Sequence, residues 1–367
     1  MSSNLIIKSL NGLRGIAVLI VIFSHTGNSG LYLLPNLNLT GTGQYGVILF
    51  FFLSSFLLSR PFFHDPELIF SARKWINYFI RRIIRILPLY YTVILIDFYY
   101  LKAQIVSPDK QELVDHLLFI RGNGVYWSVP VELKFYLILP LFVVALVICS
   151  RNKLALWSIL TLITCLFVSN GLLAYTNSFW ETLFIHRYVV SFIAGILTSY
   201  IYVLSEKMDL QLFKKSTFEI IAILCIVVMG TQIPAIWYYF QGGHHFNYSS
   251  IDWGQYYKYR HLLAISCFSI LTYSYLNGTG IIKKLLSVSI LRSCGELSFS
   301  MYLLHMPVLY FVVNHFQGTS LYIMTGLIFV VTYLVSFLTY RIIEKPFMDL
   351  TKTKSSVNLP SRKQLDL

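Results

Sequence analysis

The feature that most constrains this chain is a series of ten apolar runs of membrane-crossing length. They occupy approximately residues 9–26, 44–59, 83–101, 129–149, 155–174, 183–204, 217–239, 261–276, 295–313 and 320–341. A helix needs about 20 mostly apolar residues to cross the hydrocarbon of a bilayer. In lipid every backbone N–H and C=O must find its partner inside the protein, which leaves helices and closed barrels as spanning structures. Runs of this length make helices. Of the 367 residues, 56% are hydrophobic and 12% charged, against about 25% charged in a soluble domain. An ordinary soluble enzyme, a disordered chain and a coiled coil are excluded, and 20 Gly and 11 Pro without a period exclude collagen. The expected fold is an all-α polytopic membrane protein of about ten transmembrane helices. The second and eighth runs are short, and polar residues interrupt the first.

The charge excess, 29 Lys and Arg against 16 Asp and Glu, would suggest nucleic acid in a soluble chain. Here its distribution sets orientation instead. With the N-terminus inside, 21 of the 29 basic residues fall on the cytoplasmic side, 6 on the other, and Arg14 and Lys134 within spans. Both termini are therefore expected in the cytoplasm, with no nucleic-acid partner. The first run ends in Ser24-His25-Thr26, without a small-x-small cleavage site, and reads as a span rather than a signal peptide. Residues 60–82 form a basic cytoplasmic segment with an amphipathic helix expected over 72–85. Residues 102–128 and 240–260 are the longest outer loops. Residues 1–350 read as one membrane domain and 351–367 as a polar cytoplasmic tail. The five cysteines (149, 165, 225, 267 and 294) contain no Cys-x-x-Cys pair, and neither a disulfide framework nor a zinc site is expected. His244-His245 in an outer loop lacks further ligands at a persuasive spacing, so no metal is expected.

Ionisable residues inside spans cost several kcal/mol and persist mainly where they act. Four clusters stand out. Arg14 and His25 are 11 residues apart, three turns plus about 20°, so both point from one helix face about 16 Å apart. Histidine is the side chain suited to exchange a proton near neutral pH. A snorkelling arginine and a helix-capping histidine fit the spacing equally well. Arg81 and Arg85, at i and i+4, share a face, with Arg82 offset by one; guanidinium groups grip phosphate oxygens in pairs. A positive-inside stop signal has the same composition. Glu132, in the segment from Tyr126 to Tyr136, lies near the outer end of its span, as His25 does. Its carboxylate could orient His25, hold sugar hydroxyls or pair with Lys134. Ser298, Tyr302 and His305 fall close together on one face, where a polar helix–helix contact is the plain alternative. Arginines inside and a His–carboxylate pair toward the outside fit an anionic donor entering from the cytoplasm and a group passing to an acceptor on the other face.

In order along the chain, Leu13-Arg14-Gly15 with His25, Gly46-Val47 through Phe50–Leu57, Arg81-Arg82-Ile83-Ile84-Arg85-Ile86-Leu87-Pro88, Trp127-Ser128 with Glu132, Ser298 with Tyr302 and His305, and Glu344-Lys345-Pro346 resemble the membrane-bound acyltransferase family 3. The resemblance covers about residues 8–350. It implies acyl transfer, most often of acetyl, from acyl-coenzyme A to a carbohydrate hydroxyl. Acceptors in such a family are O-antigen, peptidoglycan, capsule or exopolysaccharide sugars, and macrolides in some members. By resemblance Arg14 and His25 carry the signature on which the chemistry depends, and Arg81, Arg82 and Arg85 match a cluster thought to hold coenzyme A phosphates. A bacterial inner membrane is implied as the location.

The scheme that follows has His25 as general base or acyl carrier, Glu132 setting its tautomer or holding the sugar, and Arg14 steadying the donor or an oxyanion. Trp127, Ser128, Tyr302 and His305 are placed at the substrate. The partners are acyl-coenzyme A as donor substrate, a carbohydrate acceptor that a lipid could carry, and membrane lipids. Two departures stand out. The family's Ser-Gly is Ser54-Ser55 here, and a serine allows less close helix approach. The hydrolase-like SGNH domain that some members carry C-terminally is not seen, so transfer is expected from this domain alone or with a separate partner. A transporter or flippase remains the alternative; it would show inverted repeats and broken midplane helices.

Overall fold

The structure is a computed structural model, which describes residues 3–32, 38–100, 109–151, 183, 188–208, 215–241, 251, 253–278 and 280–356. Among these every regular element is helical. The helices are α1 (Ser3–Asn28), α2 (Gly43–His64), α3 (Ala72–Tyr99), α4 (Lys110–Leu117), α5 (Ser128–Arg151), α6 (Val189–Lys207), α7 (Lys215–Thr231), α8 (Pro234–Phe240), α9 (Trp253–Asn277), α10 (Ile281–Leu286), α11 (Ser289–Glu296), α12 (Ser298–His315), α13 (Leu321–Thr339) and α14 (Lys345–Ser356). A 3-10 turn, Pro66–Phe70, precedes α3, and a π-helical turn, Tyr340–Glu344, joins α13 to α14.

Among the described residues five helical stretches are long and apolar enough to cross a membrane: Leu10–Asn28, Gly43–His64, Ser128–Arg151, Val189–Lys207 and Leu321–Thr351. The number rises to seven if two bent pairs each count as one span. The chain is thus an integral membrane protein, and these seven stretches coincide with seven of the ten apolar runs. The runs at 83–101 and 261–276 lie on α3 and α9, of 28 and 25 residues. The run at 155–174, the residues after 356 and His244-His245 lie outside the described residues.

Two spans expected to be single helices are bent. α7 and α8 meet at 76° around Gln232 and Ile233. Pro234 at the start of α8 cannot continue the preceding helix, and it disfavours helical geometry in the residue before it. α11 and α12 meet at 81° at Leu297. The basic segment before the third run differs in the other direction. Instead of a separate amphipathic helix, one continuous helix, α3, runs from Ala72 to Tyr99. Its buried stripe of Tyr78, Ile86, Leu89, Tyr90, Val93, Ile94 and Asp97 keeps a helical period across the supposed boundary.

Close backbone approach holds the bundle around α1. That helix packs on α2, α11 and α12. A Cβ at Gly15 would lie 2.1 Å from the Leu291 carbonyl oxygen, and one at Gly295 1.7 Å from that of Asn11. Only glycine permits this contact, which replaces the hydrophobic effect as the source of association in lipid. The Ser54-Ser55 departure is absorbed similarly. Ser55 is fully buried at the α2–α6 crossing, and its hydroxyl turns back to donate to the Phe52 carbonyl at 2.9 Å. The opposing helix supplies the missing small residue, Gly195, whose Cβ would fall 2.2 Å from the same carbonyl oxygen.

Candidate active site

α1 presents two polar side chains to α12, as their 11-residue spacing requires. The Arg14 guanidinium donates to the Ser298 hydroxyl at 2.9 Å. Near the other end of the helix, Nδ1 of His25 lies 2.7 Å from Nε2 of His305, with the rings stacked at an interplanar angle of 6°. The second nitrogen of His305, Nδ1, lies 2.7 Å from the Tyr302 carbonyl oxygen and 3.2 Å from that of Met301. A carbonyl only accepts, so Nδ1 of His305 carries a proton. In the neutral ring Nε2 is then the acceptor, His25 donates from its own Nδ1, and the lone pair of His25 resides on Nε2.

Beside these residues a cleft of about 50 Å³ opens between α1, α2, α5 and α12. Arg14, Ser54, Ser128, Glu132, Ser298 and Tyr302 supply its polar lining. Ser54 donates to the Glu132 carboxylate at 2.6 Å, and the Tyr136 hydroxyl donates to the same oxygen. The Val125 carbonyl accepts from both Tyr302, at 2.9 Å, and Ser128, at 3.3 Å, and so fixes that edge. Tyr302 also joins the cleft to the histidine pair, its ring centroid 5.9 Å from that of His305. The loop carrying Val125 is itself anchored. The His116 ring donates to the Glu112 carbonyl at 2.8 Å and accepts from the Asn123 backbone N–H at 3.0 Å.

The structure brings some of the residues singled out in the sequence together and separates others. Arg14, Ser128, Glu132 and Tyr302 share the cleft; His25 and His305 do not line it, and His305 reaches it through the Tyr302 ring. Glu132 does not set the His25 tautomer: its carboxylate is engaged by Ser54 and Tyr136, and His305 holds the ring. Nor does Glu132 pair with Lys134, which is exposed and donates to the Leu183 carbonyl at 3.0 Å. Trp127 lies behind the cleft wall, stacked on Tyr188 with centroids 4.8 Å apart and edge-on to Phe51. Arg82 and Arg85 turn inward, near enough that the charges of both act on Arg14. Arg81 is exposed.

Three residues were quoted in motifs but not placed at the site. Ser54 and Tyr136 hold Glu132, and Tyr136 stands four positions from it on one helix face, a spacing that links side chains. Glu344, in the π-helical turn, is 2% exposed, accepts from Ser300, and lies within electrostatic reach of Arg85 and Arg14. Its place next to the arginines depends on the α13–α14 return, which no local pattern announces. Among the described residues no three of His, Cys, Asp and Glu gather into a metal site.

Comparison with known proteins supplies the remaining evidence. No curated protein and no solved structure matches the chain. The acyltransferase 3 family model, described as an acyltransferase domain, matches residues 7–341 and spans Arg14, His25, Arg82, Arg85, Glu132, Tyr302 and His305. A match over nearly the whole chain, on a bundle of membrane-length helices, means that the chain belongs to the acyltransferase 3 family of membrane acyltransferases.

Proposed function

We propose that the protein transfers an acyl group, acetyl in the first instance, from acyl-coenzyme A to a hydroxyl of a carbohydrate. The observation that carries this reading is the bonded series from the Tyr302 carbonyl through His305 to His25, which holds the His25 lone pair on Nε2, in a pair that the Tyr302 ring joins to the polar cleft. A neutral histidine held in one tautomer is suited to take the proton of an attacking hydroxyl. Its orientation is fixed before substrate arrives, so little is lost in organising it during reaction.

The donor enters from the arginine end. Arg82 and Arg85 hold the coenzyme A phosphates, and Arg14 steadies the thioester arm. The N-terminus of α12, created by the bend at Leu297, faces the same region and favours anions. Arg14 and His25, about 16 Å apart along α1, serve donor binding and proton transfer respectively rather than one reacting atom. Glu132, with Ser128 and Tyr302, holds the acceptor sugar. The hydroxyl oxygen attacks the thioester carbonyl while its proton passes to His25; collapse releases the coenzyme A thiolate, which recovers that proton. A bacterial inner membrane and a surface polysaccharide such as O-antigen, capsule or exopolysaccharide complete the reading.

A transporter reading draws on the two bent helix pairs, since broken helices recur in transporters. One experiment separates the two. Surface polysaccharide from cells with the wild-type gene, a deletion and His25→Ala is analysed by mass spectrometry and proton NMR. An O-acetyl signal lost in both mutants supports transfer through His25. A signal lost only in the deletion removes His25 from the chemistry. Substrate crossing the membrane without a new ester supports transport.

A further inference from the structure

A second cavity lies on the opposite face of α1 from Arg14, between α1, α2, α7 and α9. It encloses about 260 Å³, several times the volume of the cleft, and its walls include Ile16, Ile20, Met229, Phe268 and Leu271. Thr42 and Tyr45 contribute the hydroxyls among its lining. Ile226 on its wall is 44% exposed, so the cavity opens toward the membrane. Space remains inside: a Cβ at Gly230 would meet no atom of the described residues within 4 Å. An apolar cavity does not hold water, and one that opens into a bilayer has hydrocarbon as its available filler.

A cation stands one ring beyond the Ile233 end of this cavity. The Arg260 guanidinium lies 4.5 Å from the Trp237 ring centroid and 4.3 Å from that of Tyr256. Its Nη1 donates to the Tyr256 carbonyl at 2.6 Å, while its buried Nε has no hydrogen-bond partner among the described residues. No carboxylate among them pairs with it. The cavity wall reaches this group through Tyr256, whose ring carries the guanidinium and whose hydroxyl donates to the Gln232 carbonyl beside Ile233 of the wall. Trp and Tyr mark the level of the lipid headgroups, and a guanidinium with free donors binds phosphate.

We propose that this cavity is a lipid site, holding one acyl chain of an anionic phospholipid whose phosphate is bound by Arg260. The occupant follows from complementarity: a dry slot for a hydrocarbon chain, close to a cation that no carboxylate among the described residues neutralises. The site lies apart from the histidine pair and does not depend on the transfer chemistry.

The test uses the full chain in nanodiscs of equal phosphatidylglycerol and phosphatidylcholine, with retained lipid read by native mass spectrometry after transfer to detergent. Phosphatidylglycerol is expected to be enriched about fivefold, the factor one basic residue supplies at a membrane surface. Arg260→Gln should remove the enrichment and Arg260→Lys should keep most of it. Gly230→Leu, which has room for its side chain, should lower retention of either lipid; it tests the cavity even if Arg260→Gln does not fold. Equal retention of the two lipids by the wild type overturns the proposal, as does enrichment that persists in a folded Arg260→Gln. Retention of a polyprenyl phosphate with no retention of phosphatidylglycerol also overturns it, in favour of a carrier-lipid site.

Discussion

His25 is held by His305, not by a carboxylate: Nδ1 of one lies 2.7 Å from Nε2 of the other, and the Tyr302 carbonyl fixes which nitrogen of His305 carries the proton. A histidine partner orients the His25 ring without placing a negative charge beside it. His305→Phe keeps a packed ring but loses the bond to His25. Turnover should fall about 10²–10⁴-fold, the usual contribution of general base catalysis, with the KM for acyl-coenzyme A unchanged. Residues that act as a unit are not additive, so the double variant His25→Ala with His305→Phe should be no slower than His25→Ala alone. Steady-state kinetics in proteoliposomes decides this, and wild-type turnover in a folded His305→Phe would remove the pair from the mechanism.

The inward turn of Arg82 and Arg85, with Arg81 exposed, predicts an uneven arginine series. A hydrogen bond to a charged group contributes about 1.5–3 kcal/mol. Arg82→Gln and Arg85→Gln should each raise the KM for acetyl-coenzyme A by about ten- to a hundredfold on that basis. Arg81→Gln should leave it within about twofold, as for most surface substitutions. An acetyl-pantetheine donor, which lacks the nucleotide phosphates, should be indifferent to all three. Equal effects across the series would mean the arginines act as a topology signal.

Glu132 accepts from Ser54 and Tyr136 and lines the cleft with Ser54. Glu132→Gln halves the accepting capacity of the side chain and turns an amide N–H₂ toward the cleft or toward a hydroxyl. The KM for the acceptor should rise by about tenfold, for the loss of about one charged hydrogen bond, with little change for the donor. Ser54→Ala should act in the same direction and more weakly. Paired titrations of donor and acceptor separate the two constants, and a change confined to the donor would relocate Glu132.

Packing at Gly15 gives a prediction about stability. Gly15→Ala would bring a methyl within 2.1 Å of the Leu291 carbonyl oxygen. Overpacking of this kind costs about 1–3 kcal/mol, so thermal unfolding in detergent should move to lower temperature. Gly326→Ala, where a Cβ meets no atom of the described residues within 4 Å, should unfold as the wild type does. Similar unfolding of both variants would show that α1 and α11 can separate without cost.

The apolar runs carried most of the architecture, because a bilayer forces each run to satisfy its own backbone and so makes length alone diagnostic. The same logic exposed Arg14 and His25, which are costly inside a span and share a face by helical arithmetic. One further periodicity in the sequence carries part of the site. Treating 72–99 as one helix and continuing its buried stripe from Tyr78 through Leu89 places Arg82 and Arg85 inward and Arg81 outward. Pro234 likewise marked the bend after α7.

Other features had no local signal. Nothing near His25 in the chain points to a ring 280 positions later, and Glu132 was as well placed on paper to orient that ring. The choice was made by the approach of α1 to α12 and by the Ser54 and Tyr136 hydroxyls that engage the carboxylate first. The sequence by itself determined that this chain forms membrane helices and which polar residues they carry inward, since hydrocarbon penalises each of these residue by residue. Only the tertiary structure decided which polar residue meets which, because hydrogen bonds form over about 3 Å and that separation is set by how glycine-lined helices pack.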